Sequence, residues 1–131
     1  VKFYTRAVGL GLSGTIFNGR AALLSGGSTH HELLLIQAGE AAGPLQGKRI
    51  GLYHVGWKVG NSVRELMAIH NRLNELGYPV DGLSDHTVSK SIYLRDPDGN
   101  EVELYVDNPA YDWRNDDSWM EAPVKPLNIS D

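Results

Sequence analysis

The stretch SIYLRDPDGNEVELYV, Ser91 to Val106, sets two alternating runs on either side of a turn. Successive side chains of a strand point to opposite sides of the sheet. Ile92 and Leu94 therefore share one face of the first run, and Ser91, Tyr93 and Arg95 the other. In the second run Val102, Leu104 and Val106 oppose Glu103 and Tyr105. Asp96-Pro97-Asp98-Gly99-Asn100 between them is tight-turn chemistry, with proline, glycine and two side-chain types that bond to nearby backbone. The segment reads as two strands with a common aliphatic face and a common polar one.

Upstream, GLYHVGWKV (Gly51 to Val59) repeats the design. Tyr53, Val55, Trp57 and Val59 fall on one face, and His54, Gly56 and Lys58 on the other. NSVRELMAIHNRLNELG follows, with Ser62 and Glu65 at capping-box spacing and Val63, Leu66, Met67, His70, Leu73 and Leu76 at helical intervals. Gly77 supplies a left-handed stop, and YPVDG reads as a short strand. Residues 50–107 thus spell strand, helix, strand, strand, strand. The aliphatic face suits the helix, while the polar face carries His54, Tyr93 and Glu103.

A carboxylate centred on a sheet face calls for a cation, a hydrogen-bond network or water. His54 and Glu103 are candidate partners through a metal ion, and the plainer reading is a wet face with both groups solvated. His86 precedes a strand and could reach the same space. His30 and His31 precede ELLLIQ, and only one of two neighbours can face the concave side. His70, set in the helix's apolar stripe, reads as a structural hydrogen-bonder.

The first forty residues have the order of the second unit without its beginning. VKFYTRAVGLG reads as the end of a helix, LSGTIF, GRAALLSGG and HHELLLIQAG as three strands, and Gly9 stands where Gly77 stands. By this matching a first strand and half a helix, on the order of 15 to 20 residues, have no counterpart in the chain. AGEAAGPLQGKR joins the halves, and DNPAYDWRNDDSWMEAPVKPLNISD reads as an aperiodic tail laid over the surface and held by Trp113 and Trp119. The expected division is 1–40, 48–107 and 108–131, together one domain.

With 131 residues the chain can bury its own core. It has no cysteine, which leaves His, Asp and Glu as the strong metal ligands. Twelve Lys and Arg against sixteen Asp and Glu give a net charge of -4 without a basic run, so nucleic acid is not an expected partner. No apolar run approaches the roughly 20 residues of a membrane span and no signal peptide is recognisable, so the expectation is a cytoplasmic protein without a membrane partner. Three motifs are set aside. GLGLSG (Gly9, Gly11, Gly14) follows a helix and opens a strand, the reverse of a dinucleotide site. Ser84, Asp85 and His86 are neighbours, whereas a hydrolase triad is assembled from separated positions. The glycosylation acceptor at Asn128 matters only in a secreted protein.

Taken together, KRIGLYHVGWKV through SDHTVSKSIYLRDPDGNEVELYVDNP, with HHELLL and the tail DWRNDDSWMEAPVKPLNISD, resembles the vicinal oxygen chelate superfamily (glyoxalase, bleomycin resistance, extradiol dioxygenase). Within it the type I extradiol catechol dioxygenases are the nearest match. The resemblance implies an α+β fold of two βαβββ modules forming a half-open mixed β-barrel around a metal. It implies metal ligation by His54 and Glu103, with a third histidine from the strand that has no counterpart here. His31, His86 and Tyr93 match positions used for proton transfer and substrate hydrogen bonding. Trp57 falls on the helix-packed face and is not assigned to the substrate. The implied cofactor is Fe(II) or Mn(II), the implied reaction is cleavage of a catechol ring by O2, and homodimers are common in the family.

Two other readings of the scaffold stay open. A glyoxalase-like isomerase or lyase on zinc or nickel would want Glu32 turned into the cavity. A binding protein of the bleomycin-resistance kind would need no metal, and has no use for three proton-handling groups.

Overall fold

The structure is a computed structural model that describes residues 1–41, 50–121 and 124–127. Most of the expected linker and Asn128 lie outside the described residues. The helix forms where the capping box places it. Ser62 Oγ accepts the Glu65 amide at 3.3 Å, while the Glu65 carboxylate accepts from the Asn61 amide and the Ser62 hydroxyl at 2.8 and 2.9 Å. Those bonds, the Asn61 amide first, hold the Glu65 carboxyl below the usual carboxylate range. From there α1 runs Val63–Glu75. It ends at Gly77, φ 73°, where the Gly77 amide reaches Asn74 O and the Tyr78 amide reaches Leu73 O, closing the carbonyls a helix leaves open.

Around α1 lies a five-stranded sheet. Its strands are β4 (His54–Gly60), β5 (Val80–Asp85), β6 (Ser89–Arg95), β7 (Glu101–Asp107) and β8 (Lys125–Pro126), in the order β4-β7-β6-β5-β8. Among the described residues only β4 and β7 run parallel, as a helical crossover between them permits. The first residues form an antiparallel sheet of β1 (Gly11–Ile16), β2 (Ala21–Ser25) and β3 (Leu33–Ile36). It follows a short π-helical turn, Tyr4–Val8, which ends at Gly9 with φ 93°. Helix end, left-handed glycine and three antiparallel strands thus occur twice.

Alternation in β6 and β7 predicts their share of the core correctly. Ile92, Leu94, Val102, Leu104 and Val106 are buried and join Leu66 and Leu73 of α1, Phe3, Tyr4, Ala7 and Val8 of the π-helical turn, and Ala22 and Leu24 of β2. Trp57 and Val59 pack against the same cluster from β4. Tyr4 ties the halves together by a polar contact as well. Its hydroxyl donates to buried Asp96 at 2.8 Å, and Asp96 also receives the Asp98 and Asn100 amides and the Asn100 side chain.

Burial first, and then Asp96, hold the Tyr4 phenol above its ordinary value of 10. An unfolded chain would ionise Tyr4 first, so this stabilisation is complete below pH 10 and is lost as the pH rises beyond it. Tyr4→Phe is expected to cost about 1–2 kcal/mol in urea unfolding at neutral pH and to flatten the alkaline decline. An unchanged midpoint at both pH values would show that the bond is not needed.

Several boundaries differ from the sequence reading. β4 begins at His54 rather than Gly51, so Tyr53 leaves the expected apolar face and is 81% exposed. β3 begins at Leu33, which leaves His31 before the strand rather than in it. β5 continues to Asp85 because β8, a strand the tail was not expected to contain, pairs with it at Ser84 and Asp85. Trp119 lies half-buried in a 3-10 helix, Ser118–Glu121, but Trp113 is exposed with the Arg114 guanidinium 4.3 Å from its ring centre. The ring pairs with a cation in solvent instead of anchoring the tail.

Candidate active site

Register converts the polar faces of β4, β6 and β7 into rows. Tyr93 sits directly across from Glu103, and Glu103 across from Gly56; one row along, Arg95 meets Glu101 and Glu101 meets His54. Gly56 explains the glycine beside a histidine in a packed strand. A Cβ there would stand 3.4 Å from Glu103 Oε2 and 3.4 Å from the Tyr105 ring, so glycine keeps the space over that carboxylate open.

The two oxygens of Glu103 have different tasks. Oε1 accepts from Ser91 Oγ at 2.6 Å and from Tyr93 OH at 3.1 Å. Oε2 is left facing His54 Nε2 at 3.2 Å. The other ring nitrogen of His54, Nδ1, faces Glu101 Oε1 at 3.3 Å, and Glu101 is held in turn by Arg95 at 3.0 Å. A neutral imidazole has one N–H and can donate to only one carboxylate. With Nδ1–H given to Glu101, the Nε2 lone pair points at a carboxylate, and that contact closes only with a cation or a second proton.

A divalent metal fits this donor pair. Two donors about 2.1 Å from one ion and at right angles stand about 3.0 Å apart, close to what His54 and Glu103 show. The carboxylate behind Nδ1 is the partner that metal-binding histidines usually have. No group of three His, Asp or Glu side chains arranged around one ion occurs among the described residues.

Next to the pair, His86 Nε2 lies 2.9 Å from Tyr93 OH and 3.9 Å from Glu103 Oε1. Burial first, then the Glu103 charge, raise the Tyr93 phenol above its ordinary range, so it stays a proton donor at neutral pH. The turn bearing His86 is unusual, since Thr87 has φ 69°, a region β-branched residues rarely enter. It is held there from three sides: the Thr87 amide donates to Asp85, Asn108 Nδ2 to the Thr87 carbonyl, and Lys125 Nζ to the Thr87 hydroxyl. Strain fixed in this way marks places where a side chain must be aimed.

His54, His86, Tyr93 and Glu101 line a cavity of about 440 Å³, the size of a small-molecule site. Its remaining walls are Tyr53, Ser84, Trp119 and Val124. Glu103 reaches it through His54 and Tyr93. The structure thus brings together four of the five expected side chains. His31 does not line the cavity; its ring lies against that of His30 ahead of β3. Glu32 does not line it either, because its exposed carboxylate turns back to accept the Gly26 amide at 2.9 Å. Sequence reading missed Glu101 and Ser91 as site residues, although their parity in β7 and β6 put them on the polar face.

Residues 1–104 match the sequence pattern of the Glyoxalase/Bleomycin resistance protein/Dioxygenase superfamily. The chain belongs to this superfamily. Among superfamily relatives, it is 38% identical over 85 residues to a catechol-2,3-dioxygenase of Bacillus subtilis, covering 64% of the chain but 29% of that protein. It is 32% identical over 79 residues to biphenyl-2,3-diol 1,2-dioxygenase 2 of Rhodococcus globerulus, covering 60% of the chain and 41% of that protein. The chain therefore spans less than half the length of these relatives. A solved superfamily structure, lactoylglutathione lyase from Agrobacterium tumefaciens, matches 79% of the chain and 80% of its own with a TM-score of 0.55 at 25% identity. These likenesses and the two sheets agree with the α+β superfamily fold read from the sequence. No helix among the described residues is long and apolar enough to cross a membrane.

Proposed function

We propose that this chain carries part of the active site of an extradiol-type dioxygenase, one that opens a catechol ring beside its two hydroxyls with O2. The observation that carries the reading is His54 Nε2 facing Glu103 Oε2 while His86 and Tyr93 stand alongside in one small-molecule cavity. Two relatives named as dioxygenases of vicinal aromatic diols support it.

His54 and Glu103 would hold a divalent metal, Fe(II) in this reading, which when bound would chelate the diol and pass electron density from it to O2. The chain's own residues do the rest. Glu101 accepts Nδ1–H and so leaves Nε2 of His54 free to bind. Ser91 and Tyr93 occupy one oxygen of Glu103 and aim the other. His86 is placed to take a proton from a diol hydroxyl, and Tyr93, kept protonated, can turn its single O–H from Glu103 to the oxygen left behind while Ser91 still holds Oε1.

Among the alternatives, a glyoxalase-like reaction is supported by the lyase structure. It is disfavoured by Glu32, whose carboxylate is engaged by the Gly26 amide outside the cavity. Loading the full chain anaerobically with Fe(II), adding catechol and admitting air is expected to give a yellow ring-opened product. Failure to take up iron or to turn over catechol, with isomerase activity on zinc or nickel instead, would replace this reading by the other.

A further inference from the structure

We infer that the cavity selects diols whose remote substituent is uncharged and apolar, and that Trp119 and Val124 of the tail set this preference. The inference rests on the proposed function and adds the substrate class to it. No lysine or arginine is among the described residues that line the cavity, whereas Glu101 is. Arg95, the guanidinium bonded to Glu101, also binds Asp81 at 3.0 Å, so its charge is already shared between two carboxylates. A ring carboxylate would thus enter against Glu101 with no lysine or arginine among the described lining residues to meet it, which disfavours binding.

Two other lining residues offer the opposite chemistry. Trp119 presents an aromatic surface, and Val124 an aliphatic one. Both are brought there by built contacts. The Trp119 amide donates to Tyr111 OH at 3.1 Å, and the same hydroxyl bonds Ser118 Oγ at 2.9 Å. One residue past Val124, β8 is stitched to β5 through Lys125 and Pro126. A substituent lying against them gains association by burial, about fourfold for each methylene removed from water.

The test is calorimetric binding to the full chain under nitrogen with Mn(II) present, using 4-ethylcatechol, 3,4-dihydroxybenzoate and unsubstituted catechol. 4-Ethylcatechol is expected to bind at least about tenfold more tightly than 3,4-dihydroxybenzoate. Trp119→Ala should weaken 4-ethylcatechol more than unsubstituted catechol. Val124→Lys, a change at an exposed position that leaves folding alone, should tighten 3,4-dihydroxybenzoate severalfold. Equal or reversed preference in the unaltered chain, no gain in V124K, or no binding by any diol would overturn the inference. The preference intact without ring cleavage would refute the reaction but keep the cavity's selectivity, whereas ring cleavage with the carboxylated diol preferred would do the reverse.

Discussion

Replacing Glu103 with glutamine is expected to abolish divalent-metal binding while leaving the fold in place. The amide has nearly the shape of the carboxylate, and its one oxygen would go where two donors already wait, Ser91 Oγ at 2.6 Å and Tyr93 OH at 3.1 Å. That orientation turns the NH2 group toward His54 Nε2, now 3.2 Å from Glu103 Oε2. One change then removes the proposed charged ligand and gives the neighbouring nitrogen a hydrogen-bond donor where the proposed cation would sit. Loss of a supporting residue around a metal typically lowers affinity about 10–100-fold, so loss of the ligand should exceed that range. Ser91→Ala, which only frees Oε1 to swing, should fall within it. Titration with Mn(II) followed by calorimetry, with circular dichroism as the check on folding, measures both. Stoichiometric metal retained by the E103Q chain would remove the site from Glu103 altogether.

One residue along the same strand the consequence is of another kind. Leu104 points to the opposite side of β7 and is fully buried with Ile92, Leu94, Val102, Leu66 and Leu73. Leu104→Ala removes three carbons from a packed interior and leaves a cavity that neighbours on a sheet and a helix can fill only in part. The expected loss is about 2–5 kcal/mol, set against a total of about 5–15 kcal/mol for a typical domain. The thermal midpoint should fall by roughly 10 °C, since a chain of this length loses a few degrees per kcal/mol. Thermal unfolding followed at the far ultraviolet measures it. A loss below about 1 kcal/mol would mean that the sheet and helix do not close over this residue. Adjacent positions thus separate function from stability.

That separation is visible in the sequence because strand alternation is local. Ile92, Leu94, Val102, Leu104 and Val106 occupy the buried face that their spacing assigns. The Ser62 and Gly77 signals bracket the helix for the same reason, each being satisfied within a few residues. His54, Tyr93 and Glu103 were legible as one polar face, and the structure brings them together.

Distances across strands were not legible. Whether Glu103 or Glu101 meets Nε2 of His54 depends on the parallel register of β4 on β7, and on how each side chain turns above the sheet. No local pattern encodes that pairing. The start of β4 at His54 likewise frees Tyr53 for the cavity, although its parity assigned it to the apolar face. The tail shows the limit most plainly. Its residues have no period, yet β8 pairs with β5 and carries Val124 to the cavity, while Trp119 arrives from a short 3-10 helix. By itself the sequence determined that Ile92, Leu94, Val102, Leu104 and Val106 face the core and that His54, Tyr93 and Glu103 share the opposite face, because that depends on neighbours two to four positions apart. Only the tertiary structure decided which polar side chains touch, because hydrogen bonds between distant strands fix their relative positions, and no short-range preference does.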